Sequence, residues 1–405
     1  MPTSTNATSV ATLPTMIQPG RVPVLSWVPD LDERTLTQAT NLSNLPFALA
    51  HVALMPDAHA GYGMPIGGVL FAERAVVPYA IGVDIGCGVA LAETDLTTQS
   101  MSREELDRTL AEIARRVPTG TASQPIKVDR EAALAEIALP VPESIEPAWL
   151  ERAVDQLGTL GSGNHFLEVQ GDEAGRVFVM LHSGSRSLGK TICDAFHKRA
   201  LQENRLWHSD LPDPELAYFP VGSDGHAGYW AAMSFALRFA EVNRSRMLDQ
   251  VEAALPMQTR LGSFTRLVDV HHNYAAWEHH FGQNGIVHRK GAVRARVGEP
   301  VLIPGSMGTA SYVAEGLGNA DSFQTCQHGA GRAMSRTAAR KAMTSGQLFD
   351  EMARLGVMLH SGDPKTAAEE APMAYKDIET VMAASTDLIG PTKRLTPLGL
   401  SLIHI

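Results

Sequence analysis

The chain has 405 residues, of which 44% are hydrophobic and 19% charged, and it carries a net charge of −10 with histidine counted neutral. This is the composition of an ordinary globular protein; no apolar run approaches the roughly 18 residues of a membrane span, and the acidic balance excludes nucleic-acid binding through the overall field of the chain. Three cysteines fit a reducing, cytoplasmic setting better than a disulfide framework.

Residues 1–20 are uncharged and rich in Ser, Thr and Pro; they read as a disordered leader, without the basic start and apolar core of a secretory signal. A short apolar run then delivers Asp84 and Cys87 onto the glycine-rich turn Gly82-Val83-Asp84-Ile85-Gly86-Cys87-Gly88. Ser102 and Glu105 form a capping box for a helix whose apolar stripe is Leu106, Leu110, Ile113 and Val117. Residues 119–146, with their Gly, Ser and Pro patches, read as an excursion between core elements. Val177–Leu181 predicts a strand ending on His182-Ser183-Gly184-Ser185-Arg186, and a long helix is predicted over about 229–255. Leu267–Val270 predicts a strand running into His271-His272-Asn273, and Val301–Ile303 one running into Pro304-Gly305-Ser306-Met307-Gly308-Thr309. The run His328-Gly329-Ala330-Gly331 is placed at the start of a helix from Arg332 onwards. Short strands alternating with glycine turns and helices predict a mixed α/β fold, one compact domain whose site is assembled from loops at strand ends.

A carboxylate and a thiolate three residues apart on a turn can grip one metal ion or bridge two. Of the fifteen histidines, His51, His197, His208, His226, His279, His280 and His360 have no ligand-like company and read as surface or satisfied core. His165 in Gly161-Ser162-Gly163-Asn164-His165-Phe166, His182, His272 and His328 differ, each standing at a strand end or in a glycine-rich run. Asp84, Cys87 and three such histidines suffice for a two-metal site; the donors leave zinc, manganese and iron open, with the thiolate leaning towards zinc. The loops 304–309 and 328–331 let backbone N–H groups approach an anion, and a neutral His328 beside such a cradle could attack phosphorus. Local basic clusters are Arg332, Arg336, Arg340 and Lys341, which a solvated helix face explains equally well, and His288-Arg289-Lys290-Gly291.

Taken in order, these motifs resemble the RtcB family of RNA ligases. The matching runs are Met55-Pro56-Asp57-Ala58-His59, Gly82–Gly88, Gly163-Asn164-His165-Phe166, His182–Arg186, His272-Asn273, His288–Ala292, Pro304–Gly308, His328–Arg332 and Ala368-Glu369-Glu370-Ala371-Pro372. The resemblance spans roughly residues 45–399 and implies a catalytic domain over 21–399, with central β-sheets flanked by helices and the active site at strand ends. It implies joining of RNA ends bearing a 2′,3′-cyclic phosphate or 3′-phosphate to a 5′-hydroxyl, with GTP and two Mn²⁺ ions. Asp84, Cys87, His165, His182 and His272 would hold the ions, with Cys87 bridging, and His328 would take GMP from GTP. Asn164, Glu168, Asn273, Pro304, Gly305, Ser306, Met307, Ser311, Gly329, Ala330, Gly331, Arg332 and Tyr375 would surround the guanylate. RNA is the implied partner of a monomeric chain, in tRNA splicing or RNA repair, with room for an archease-like activator.

One departure stands out. The family ends in a Lys-Gly pair whose lysine contacts guanine, whereas no lysine follows Lys393 here. Residues 400–405 therefore read as an atypical, non-native tail. Two other readings remain open at this level: a two-metal phosphohydrolase or nuclease that ignores GTP, and a relative that binds RNA ends without joining them.

Overall fold

The computed structural model describes residues 13–258, 264–361 and 367–402. Two sheets dominate the mixed α/β architecture. The first orders six strands as Thr15–Ile17, Val24–Ser26, Ala48–His59, Ile66–Ala72, Gln283–Lys290 and Asn273–His280. The second runs Phe264–His271, Gly88–Thr97, Arg176–Ser183, Phe166–Asp172, Lys393–Leu402, Ser311–Glu315 and Pro300–Ile303, with Met358–Ser361 pairing in parallel alongside Lys393–Leu402. A smaller ladder joins Ala292–Arg294 to Thr325–Gln327.

Strand direction in the second sheet explains where chemistry collects. Its four strands Phe264–His271, Gly88–Thr97, Arg176–Ser183 and Phe166–Asp172 each run antiparallel to the neighbour, so the end of one lies beside the start of the next. The register sets His271 opposite Gly88, Val89 opposite His182, and His182 opposite Phe166. Cys87, His165, His182 and His272, scattered over 186 positions of sequence, thus come to one edge of one sheet. The His272 amide donates to the Cys87 carbonyl at 2.9 Å, and the chain passes directly into Asn273–His280 of the first sheet. The two sheets therefore meet at the turn that carries His272.

The helix begun by Ser102 spans Arg103–Arg116, with the capping box closed in both directions, and buries Leu106, Leu110 and Ile113. The long helix runs Asp224–Gln258 and packs with Ser187–Leu206 and Arg103–Arg116. Two of its residues, Asn243 and Arg244, are fully buried and pin the ligand-bearing loops. Arg244 donates to the carbonyls of Gly86 (2.9 Å) and Ser183 (3.0 Å) and to Asp269 (2.7 Å), while Asn243 donates to the carbonyls of Thr159 and Gly184. The excursion at 119–146 carries a helix, Arg130–Ile137, whose Glu136 pairs with Arg246 of the long helix.

Two expectations are corrected. Residues 1–12 of the expected leader lie outside the described residues, but residues 13–20 do not read as disordered: Thr15–Ile17 pairs antiparallel with Val24–Ser26 and adds an edge to the first sheet. Residues 400–402 complete the strand Lys393–Leu402 between Phe166–Glu168 and Leu359–Ser361, with Leu400 buried; residues 403–405 lie outside the described residues. The helix placed at Arg332 starts only at Arg336 and ends at Ala342. Arg332 instead bridges to Tyr375, and the amides of Ala333 and Met334 donate to the Ala374 carbonyl, which holds this stretch in a non-helical bend until Ser335 caps the helix. His328 stands at the end of the strand Thr325–Gln327, so no helix dipole acts on it.

Candidate active site

The sheet edge opens into a cavity of about 1050 Å³. Asp84, Cys87, His182, His272 and His328 line it, as do Asn164, Glu168, Asn273, Pro304, Gly305, Ser306, Met307, Gly329, Ala330, Gly331, Arg332 and Tyr375. His165 stands behind this surface, in contact with Asp84 and Cys87. Ser311 lies outside the cavity; its hydroxyl accepts from the Gly305 amide (3.2 Å) and from Gln170 (3.0 Å), so it braces the 304–309 loop from behind.

The orientation of each imidazole follows from its partners. His165 Nδ1 donates to the Leu160 carbonyl and His182 Nδ1 to the Asn164 carbonyl, both at 2.9 Å. A carbonyl only accepts, so each ring carries its proton on Nδ1 and turns the Nε2 lone pair inward. His165 Nε2 lies 2.9 Å from Asp84 Oδ2 and 3.4 Å from Cys87 Sγ, and His182 Nε2 lies 3.2 Å from Cys87 Sγ and 3.3 Å from His272 Nε2. Burial, reinforced by the neighbouring imidazoles, holds His182 and His272 well below the usual histidine range, so both are neutral. The donors fall into two sets, Asp84, Cys87 and His165, and Cys87, His182 and His272, each with ligand atoms within 4.8 Å of one another. Cys87 belongs to both. Lone pairs of nitrogen, sulfur and oxygen converging in a buried space repel one another, and a cation relieves that repulsion. The donor set is therefore compatible with metal binding; burial and the Asp84 charge raise the Cys87 thiol, so a bound cation would have to displace its proton.

His328 is built differently. Its Nδ1 donates to Asp57 Oδ2 at 2.6 Å, and the same oxygen accepts the His328 backbone N–H at 3.2 Å. In the neutral ring that leaves the lone pair on Nε2, while the ring edge lies against His272, centroid to centroid 4.9 Å. Asp57 closes the buried strand Ala48–His59 and is itself fully buried. Gly331, at φ +72°, is required here: a Cβ would lie 2.3 Å from the Asp57 carbonyl oxygen.

Among known proteins, the family model described as "tRNA-splicing ligase RtcB" matches residues 38–139 and 127–401. The chain belongs to the RtcB family. It is 38% identical over 375 residues to the RNA-splicing ligase RtcB of Escherichia coli (strain K12), covering 87% of this chain and 90% of that protein. It is 35% identical over 425 residues to the tRNA-splicing ligase RtcB of Pyrobaculum aerophilum, covering 87% of each, and 32% identical to that of Thermococcus kodakarensis, covering 91% of each.

On this RtcB scaffold the slot beside the metal donors is furnished by three elements. Glu168 is buried on the strand Phe166–Asp172, with Leu400 opposite it on the neighbouring strand. Burial pushes its carboxyl up to about 8, and its Oε1 has no protein partner. Arg332 donates to Glu370 (2.7 Å) and to the Glu369 carbonyl (2.8 Å), its guanidinium lying 5.2 Å from the Tyr375 ring centre, and the Tyr375 hydroxyl also bonds Glu370. The amide of Ala330 donates to the Pro304 carbonyl, tying the two glycine-rich loops together.

The arginines of both basic clusters are paired with carboxylates. Arg336 and Arg340 pair with Glu369 and Glu370, and Arg289 is fully buried against Glu278. Lys290 donates to the carbonyls of Tyr62, Met64 and Tyr79 and lines the cavity. Of the seven histidines set aside, none lines the cavity among the described residues. Sequence reasoning missed the work of Asp57, although it is the polar residue closing a long buried strand; that position is the signal that could have found it.

Proposed function

We propose that this chain, an RNA ligase by family, uses GTP and manganese to join an RNA end bearing a 2′,3′-cyclic phosphate or 3′-phosphate to a 5′-hydroxyl end. The observation that carries the reading is the fixed tautomer of His328 beside a metal donor set. With Nδ1 committed to Asp57, Nε2 attacks the α-phosphorus of GTP, a P–N bond forms and pyrophosphate leaves. The Asp57 carboxylate stabilises the positive charge that develops on the ring. A cyclic phosphate is opened by water to the 3′-phosphate. The GMP then passes from His328 to an oxygen of that phosphate, creating a pyrophosphate linkage, and the 5′-hydroxyl oxygen attacks the RNA phosphorus and expels GMP. A bare 3′-phosphate offers no comparable leaving group.

Asp84, Cys87, His165, His182 and His272 would hold two Mn²⁺ ions, which when bound offset negative charge on the phosphates. Glu168 suits the N–H edge of guanine, Arg332 and Tyr375 flank the nucleotide, and Asn164, Asn273 and the loops 304–307 and 329–331 enclose its phosphate and ribose; Ser311 acts through Gly305. The same proposal takes the chain as a cytoplasmic monomer acting in tRNA splicing or RNA repair, open to an archease-like activator. No helix among the described residues is long and apolar enough to cross a membrane.

The test uses GTP labelled at the α-phosphorus. With Mn²⁺, the wild-type chain is expected to acquire an acid-labile label that His328→Ala abolishes. A folded wild-type chain that takes up no label overturns the reading.

A further inference from the structure

Tyr62 and Tyr79 are among the aromatic rings that line the cavity without a part in the reaction just described. Tyr62 is 63% exposed, unusual for so large a ring within a cavity lining. Its centroid lies 6.4 Å from that of Tyr79, with the planes inclined at 47°. Tyr79 is immobilised from behind: its ring stacks on His197 at 3.8 Å and 11°, and its hydroxyl reaches Asp194 at 3.4 Å. Burial raises the Tyr79 phenol to about 12, so the ring stays neutral at working pH.

One cation fixes both loops. The Lys290 ammonium donates to the backbone carbonyls of Tyr62, Met64 and Tyr79, so the segments carrying the two rings are tied at a single buried point. Gly82 leaves room for this lysine, since a Cβ there would lie 3.3 Å from Lys290 Cε. Each ring is also tethered to the reacting centre. Tyr62 follows Asp57 by five residues and Tyr79 precedes Asp84 by five. Five residues span at most about 17 Å, so both rings stand within a few nucleotide lengths of the chemistry.

Resting on the ligase reading, we propose that Tyr62 and Tyr79 form a stacking platform for an unpaired nucleobase of the RNA strand held at the cavity, close to the end being joined. Single-stranded bases stack on aromatic rings whatever their identity, which suits an enzyme that recognises end chemistry rather than sequence. A platform preorganised by His197, Asp194 and Lys290 loses little freedom when a base lands on it. The base could belong to the strand with the 3′-phosphate or to the strand with the 5′-hydroxyl.

Two short RNAs decide this, one with 2-aminopurine as the last base before a 3′-phosphate, the other with 2-aminopurine as the first base after a 5′-hydroxyl. Each is titrated against wild type, Tyr62→Ala and Tyr62→Phe. Stacking quenches 2-aminopurine, so wild type and Tyr62→Phe are expected to quench one of the two RNAs, which names the strand. Tyr62→Ala is expected to lose the quenching and weaken binding of that RNA about tenfold or more, with its melting temperature unchanged because Tyr62 is exposed. Equal quenching and affinity for wild type and Tyr62→Ala on both RNAs, in a chain that takes label from GTP, overturns the platform alone. A chain that takes no label and binds neither RNA overturns the parent reading with it.

Discussion

Two of the buried clusters of imidazole and charged side chains among the described residues differ in their balance of donors and acceptors. In the first sheet, Glu278 accepts from Arg289 and from His280, and Arg289 also donates to Thr325 and to the Phe323 carbonyl. Donors and acceptors match, and burial leaves that group content. At the edge of the second sheet, Nε2 lone pairs of His165 and His182 meet His272, a thiol and a carboxylate. Acceptors outnumber donors there. The matched cluster builds structure, whereas the unmatched one is compatible with metal binding.

The contrast can be broken most directly at the unmatched cluster. Replacing His182 or Cys87 with Ala should lower manganese affinity and ligation by more than about 100-fold, the loss that removal of a hydrogen bond to a metal ligand alone can cause. Metal content by mass spectrometry and end-joining assays check it, and the melting temperature of the metal-free chain should hardly change. Next comes the tautomer lock. Asp57→Ala removes the oxygen that accepts both the Nδ1 proton and the His328 backbone N–H, so the ring is free to carry its proton on Nε2; the rate of His328 labelling should fall by roughly 10²–10⁴, with the KM for GTP little altered. Single-turnover labelling at several GTP concentrations separates the two.

At the matched cluster the expected loss is of stability. Arg289→Met strands Glu278 and should cost about 3–5 kcal/mol in denaturant unfolding, and adding Glu278→Leu should restore much of it. If Arg289→Met instead weakens RNA binding in a fully stable protein, the distinction between the clusters fails. The smallest effect concerns Glu168. Its carboxyl titrates at about 8 in the folded chain against 4.5 for an ordinary glutamate, because burial disfavours the charge. The folded state therefore keeps a proton that the unfolded state loses between those values, and stability falls as pH rises through that window. Glu168→Gln should match wild type near pH 4 and melt a few degrees higher at pH 8.5; parallel melting curves at all pH values would contradict it.

Much of the fold was legible locally. The capping box of Ser102 and Glu105 and the apolar runs at 177–181, 267–270 and 301–303 announced elements that form as read, because each is decided by neighbours a few residues away. The helix read at Arg332 failed because partners at Ala374 and Tyr375 hold that backbone out of helical form. The partners of the two basic runs were not legible locally for a similar reason: Glu278, Glu369 and Glu370 arrive from other segments and pair with Arg289, Arg340 and Arg336. Asn243 and Arg244, in the middle of a helix, gave no signal that they would pin the loops of a site.

The sequence by itself determined which donor atoms are available, since Asp84, Cys87 and the histidines stand at the ends of strands whose apolar runs are plain to read. Only the tertiary structure decided what those atoms do. Which imidazole nitrogen faces inward is set by the carbonyls of Leu160 and Asn164, and His328 becomes a nucleophile candidate through Asp57, 271 residues away in the chain. A tautomer depends on the partner that captures one proton, and that partner is chosen by register and packing rather than by local sequence.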